Sequence, residues 1–173
     1  MNTNGGEIIV RRTDDGHVAD WGAGPRRCAV GRSGIGEKLR EGDGLTPAGR
    51  WPLRRILYRA DRIPTPKSAL GTTTIARDDG WCDAPGDLAY NRAVKLPYGA
   101  SAEELWRGDQ LYDVVVVIGY NDAPVVLGKG SAIFLHVANN DCRATEGCVA
   151  LARVDLIALL AEVPTNAMLV VKA

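Results

Sequence analysis

The sequence predicts a mainly β, sandwich-like fold in a single domain. Three observations carry this. Apolar runs are short and bounded by Gly, Pro, Asn and Asp turn signals, only two stretches have helical character, and strands and helices do not alternate as βαβ units require. The 173 residues suffice for one domain with its own core, and 46% hydrophobic with 24% charged residues is a globular composition.

Ile8 to Arg12 lies between Gly5-Gly6 and Thr13-Asp14-Asp15-Gly16, so it reads as a strand and turn, returning around Val18 to Trp21. Arg27 to Val30 gives another strand. The glycine-dense stretch Gly31 to Gly49 lacks the Gly-Lys-Ser/Thr and following helix of a phosphate loop, and no βαβ unit surrounds it as a dinucleotide site needs. It reads as a loop. Thr46-Pro47-Ala48-Gly49 then turns into a strand from Arg50 to Tyr58, with Trp51, Leu53 and Leu57 on one period-two face.

Residues 60–97 are irregular, with prolines at 64, 66, 85 and 97 and a brief strand at Thr72 to Ile75. A long excursion of this kind is typically a binding surface or lid. Trp81, Tyr90 and Arg92 are therefore candidate substrate-binding residues, against the alternative that Trp81 and Tyr90 pin the excursion to the sheet. Ser101 to Trp106 reads as one or two helical turns, with Ser101 at the N-cap and Glu103-Glu104 at the positive end of the dipole.

Tyr112 to Ile118, with four consecutive valines, is the clearest buried strand, and Ser131 to Val137 is its neighbour. Setting the end of one beside the end of the other brings Tyr120 and Asn121 near His136, which makes both cleft candidates. A turn role is the other reading of Asn121. Val154, Ile157, Leu160 and Ala161 recur at helical spacing in a helix stopped by Pro164, and Ala167 to Lys172 returns as a strand.

Lysine plus arginine equals aspartate plus glutamate at 21 each, so no charge excess favours nucleic acid or an anionic membrane as partner. The pattern specifies no oligomeric state. The first residues lack a basic start followed by an export-length apolar stretch, and no transmembrane run follows, so with Met1 as the natural start the expectation is a cytoplasmic protein. Cys28, Cys82, Cys142 and Cys148 are expected as free thiols, because a core of this size needs no disulfide.

The chemistry concentrates between Ser131 and Leu151. An apolar run delivers His136, a polar loop follows, and Thr145-Glu146-Gly147-Cys148 leads into a second apolar run. A histidine beside a cysteine can take the thiol proton or stabilise the thiolate as an ion pair. A glycine before the cysteine lets the backbone turn its N–H groups toward an oxyanion. The pattern indicates a His–Cys acyl-transfer centre.

His136, Thr145, Gly147 and Cys148 resemble the signature of the L,D-transpeptidase catalytic domain, the YkuD-type fold. Gly42-Asp43-Gly44-Leu45-Thr46-Pro47-Ala48-Gly49-Arg50-Trp51 is similar to that family's G-D-x-x-T-P-x-G-x-F turn and strand. The resemblance runs from about Ile8 to the end. The spacer between His136 and Cys148 is shorter than in many members. Val149-Ala150 also lacks the arginine or asparagine often found two residues after the cysteine, so the usual acceptor or carboxylate recognition is not written there.

The resemblance implies a peptidoglycan stem tetrapeptide or soluble muropeptide as substrate and no metal or organic cofactor. Cys148 is then the nucleophile, His136 the base and later the acid, Gly147 an oxyanion-hole backbone, and Thr145 the residue whose backbone carbonyl orients His136. Hydrolysis, an L,D-carboxypeptidase outcome, is the favoured expectation over crosslinking. Zinc bound by His136, Cys142 and Cys148 is disfavoured by the lack of paired C-x₂₋₄-C ligands. A sortase-like site lacks its Thr-Leu-x-Thr-Cys, and a non-catalytic peptide-binding module would be expected to lose the cysteine or histidine.

Overall fold

A computed structural model describes residues 5–173. Residues 1–4, part of the start read for an export signal, lie outside the described residues. The elements are β1 (Glu7–Thr13), β2 (Gly16–Asp20), β3 (Arg26–Ala29), β4 (Ile35–Gly36), β5 (Thr46–Pro47), β6 (Gly49–Tyr58) and β7 (Thr72–Thr74). They continue with β8 (Asp79–Cys82), β9 (Ala93–Lys95), β10 (Ala102–Glu104), β11 (Val114–Ile118), β12 (Phe134–Val137), β13 (Val149–Leu151), α1 (Arg153–Glu162) and β14 (Met168–Val171). The protein is mainly β.

The large sheet runs β11-β12-β13-β3-β2-β1-β14-β6-β7, and β11 also pairs with β6. That extra pairing returns the sheet to its start, so eight strands form a ring around one core. Ile8, Val10, Leu53, Val116, Leu135, Leu151 and Leu169 fill it, joined by Leu156, Leu159 and Leu160 of α1. Burying each such side chain contributes roughly 1.5–3 kcal/mol.

β11 is apolar throughout because both its faces are covered. Val114, Val116 and Ile118 face the main core, whereas Val115 and Val117 pack with Leu57, Trp81, Tyr112, Phe134 and Cys148 in a second cluster. The cover over that second face is a three-stranded sheet, β10-β8-β9, built from the excursion and the residues after it. Ser101 to Trp106 is thus no helix: Ala102–Glu104 pairs antiparallel with β8, Glu103 opposite Trp81. Six residues carry too little intrinsic helical stability to resist that pairing.

Two further expectations are corrected by packing. The strand at Arg50 to Tyr58 changes face midway, since Val117 pairs with Arg55 but Ile118 with Leu53. This bulge sends Leu53 to the main core and Leu57 to the second cluster. In α1 the buried stripe is Leu156, Leu159 and Leu160, while Val154 is exposed. The phase is set by the spacing i, i+3, i+4 of the leucines, which presents larger side chains than Val154 and Ala161 do. Among the described residues no helix is long and apolar enough to cross a membrane.

Candidate active site

His136 sits in β12 opposite Ala150 of the parallel strand β13, and Cys148 lies two residues before Ala150. Period-two alternation puts His136, Phe134, Cys148 and Ala150 on one face, with the Cα atoms of His136 and Cys148 roughly 8 Å apart on the diagonal. Both side chains line one cavity of about 510 Å³. The Cys148 thiol donates to the Ala132 carbonyl at 3.2 Å and accepts the Phe134 N–H at 3.3 Å. It is 8% exposed.

Nδ1 of His136 is 2.8 Å from the Val137 carbonyl oxygen. A carbonyl only accepts, so Nδ1 carries the hydrogen and Nε2 is left as a lone-pair base. The ring is also held edge-on to Tyr112, centroid to centroid 5.3 Å. Burial lowers the His136 pKa to about 4, against the favourable Val137 carbonyl. Burial, reinforced by the Glu103 carboxylate, pushes the Cys148 thiol up to about 12, opposed by the Phe134 N–H and the Lys38 charge. The resting pair is therefore neutral thiol and neutral imidazole, the general-base form of the two arrangements the sequence left open.

Thr145 and Gly147 stand beside the cysteine but not in the arrangement the resemblance implied. The Thr145 carbonyl accepts the Arg32 N–H at 2.8 Å rather than orienting His136, a task the Val137 carbonyl performs. The Thr145 hydroxyl instead donates to the Cys148 carbonyl at 2.6 Å and accepts the Gly147 N–H at 3.1 Å. That bond occupies the donor expected to face an oxyanion. Gly147 is needed for a different reason: φ is +141°, and a Cβ there would lie 2.9 Å from the Leu45 carbonyl oxygen. The upstream Gly-Asp-Gly turn thus packs directly beneath the cysteine turn.

The other candidates lie outside the cavity lining. Trp81 is buried, donates from Nε1 to the Asn91 side chain at 2.9 Å and packs edge-on to Phe134, so it pins the cover to β12. Tyr90 is buried with its hydroxyl between Glu41 and the Gly130 N–H. Arg92 is exposed and donates to the Asp122 carbonyl. The pairing of β11 with β12 is antiparallel, which sets Tyr120 and Asn121 beside the start of β12, away from His136. Asn121, at φ 49°, closes its own loop through Val126 and Gly130, the turn role.

Sequence reasoning missed the charged lining. Lys38, Glu41 and Ser131 line the cavity, as do Asp83, Glu103, Arg107 and Tyr112. Lys38 is bound to Asp43 of the Gly-Asp-Gly turn at 2.6 Å, so the motif's aspartate was the signal for it. Glu103 reads from sequence as a helix-dipole residue, and only tertiary pairing turns it toward the site. Among the described residues no group of three or more His, Cys, Asp or Glu is placed to hold a metal ion.

The profile of the YkuD family, the L,D-transpeptidase catalytic domain, matches residues 7–171. The chain belongs to the YkuD family. The match spans every strand of the ring and the whole cavity, and YkuD domains act on peptidoglycan, so this protein is an L,D-transpeptidase-family enzyme of cell-wall chemistry. No match is found among curated proteins.

Proposed function

We propose that this YkuD domain cleaves the bond between the L-centre of the third residue and the terminal D-alanine of peptidoglycan stem tetrapeptides, through a thioester on Cys148. The observation that carries the reading is that the Cys148 thiol and the His136 imidazole sit on one face of adjacent strands, in the wall of one cavity. His136 Nε2 takes the thiol proton as sulfur attacks, then returns it to the leaving amine. The same base next activates water to release the tripeptide.

The acidic part of the lining supports a donor with a cationic group, such as diaminopimelate. Asp83 Oδ1 is buried without a hydrogen-bond partner, and Glu41 and Glu103 line the same space. A cavity of about 510 Å³ suits one peptide end. Position 150 is a buried alanine, which offers no charge to a second stem. These features favour hydrolysis of soluble muropeptides or nucleotide-linked precursors, a recycling step, over crosslinking.

The test is mass spectrometry of tetrapeptide incubated with the protein, alone and with D-amino acids. Release of D-alanine with a transient acyl adduct on Cys148 is expected. Efficient dimer formation or D-amino-acid exchange replaces the carboxypeptidase reading with the transpeptidase one, and no reaction at Cys148 overturns both.

A further inference from the structure

We infer that Lys38 is a further catalytic residue of this site, its ammonium donating to the scissile carbonyl oxygen as that oxygen becomes an oxyanion. The inference rests on the acyl-transfer reading above and adds a side-chain donor to it, the Gly147 N–H being bound to the Thr145 hydroxyl.

The geometry around Lys38 is that of a charge fixed in place. Its side chain is 1% exposed, and it lines the cavity together with Cys148 and His136. The stem crosses Gly130 so closely that a Cβ there would meet its Cε at 2.3 Å, and the Tyr120 ring closes the same passage. At the end of the stem, Asp43 accepts Nζ at 2.6 Å while its carboxylate also takes the N–H groups of Leu45, Leu39 and Arg40. These donors saturate Asp43 and outweigh its burial, holding its pKa down at about 2, so the anchor stays ionised.

An ammonium has three hydrogens, and Asp43 accepts one. Among the described residues Nζ has no other hydrogen-bond partner, which leaves two donors on a buried cation. Such groups are costly unless something accepts from them. The cavity is where an acceptor can arrive, and Lys38 is close enough to favour the Cys148 thiolate electrostatically. A donor fixed beforehand in the same cavity as the nucleophile is what oxyanion stabilisation requires.

In the step itself, the sulfur–carbon bond forms as Nε2 of His136 takes the thiol proton. The carbonyl π pair moves onto oxygen, and Lys38 donates a hydrogen bond to it without giving up its proton. Collapse restores the carbonyl, breaks the carbon–nitrogen bond, and passes the proton on Nε2 to the departing amine.

The experiment compares wild type, Cys148→Ala, Lys38→Met and the double variant Asp43→Asn/Lys38→Met on free tetrapeptide, with melting temperatures alongside. The double variant removes both charges together, so it leaves no unpaired carboxylate. The expected result in both Lys38 variants is a fall in kcat of about 10²–10³-fold with KM changed far less, the signature of a contact made in the transition state. Partial rescue of Lys38→Ala by ethylammonium is expected as well. The inference is overturned by kcat within about threefold of wild type, by a raised KM at unchanged kcat, or by recovery of activity in the double variant. Full turnover by Cys148→Ala overturns the acyl-transfer reading and this role with it, a result read without any Lys38 variant.

Discussion

The Val137 carbonyl oxygen lies 2.8 Å from Nδ1 of His136, the residue just before it, so the base is oriented by its own strand rather than by a distant partner. This fixes the tautomer, while burial holds the pKa near 4. Above that pH Nε2 is free to accept a proton, and below it the base is lost. The acid limb of kcat/KM for tetrapeptide is therefore expected near pH 4, not near the ordinary histidine value of about 6.5. An acid limb at pH 6 to 7 contradicts a buried neutral base.

His136→Gln is expected to lower kcat by about 10²–10⁴-fold, the contribution of the proton transfer. It also changes acid stability. Between pH 6.5 and 4 the unfolded chain binds a proton on His136 that the folded chain refuses, so the wild type loses stability as pH falls through that window. Removing the imidazole removes that component, and the variant's denaturation midpoint is expected to fall less between pH 7 and pH 4.5 than that of wild type.

Cys148→Ala is expected to abolish turnover while the protein remains folded, at a cost of about 1 kcal/mol or less for a lost sulfur in a small pocket. Cys28→Ala and Cys82→Ala are expected to keep activity. Cys28 is a core thiol pushed up to about 12 by burial, and Cys82 lies in the cover sheet. All four thiols are free. Loss of turnover in either control, with unchanged melting temperature, removes the special place of Cys148.

Trp81→Ala is expected to act on stability, by about 3–5 kcal/mol, because it removes the edge-on contact with Phe134 and one of the two hydrogen bonds that the Asn91 side-chain oxygen accepts. Arg92→Ala, on an exposed side chain bonded to a backbone carbonyl, is expected to leave both stability and turnover near wild type. Chemical denaturation and D-alanine release on the same two proteins separate these effects.

Trp81 also marks the boundary of what the sequence made legible. His136 and Cys148 stood out because a reactive pair at the edges of two apolar runs is a local signal, as is the Gly-Asp-Gly turn that packs under Gly147. The cavity wall is not local. Glu103 reaches the site only because β10 pairs with β8, and Tyr120 misses it only because β11 and β12 run antiparallel. Neither the partner of a three-residue strand nor the direction of a pairing is encoded in composition or period, so charges from loops far apart in sequence had no signature.

The charge at Glu103 leads to the last prediction. Its carboxylate accepts the Tyr112 hydroxyl and lines the cavity, where burial raises its own pKa and its negative charge raises that of Cys148. Glu103→Gln keeps the shape and an acceptor for Tyr112 but removes the charge, so the thiol's pKa must fall. At pH 8 to 9, well below the wild-type value of about 12, the thiolate fraction is expected to rise. Iodoacetamide alkylation of Cys148 followed by mass spectrometry reads this directly. Turnover at neutral pH is expected to change less, because a general-base mechanism draws on His136 and not on a standing thiolate. An unchanged alkylation rate means that Glu103 carries no charge at that pH. A slower rate means that the carboxylate does not disfavour the thiolate, and either result removes Glu103 as the group that holds the thiol protonated.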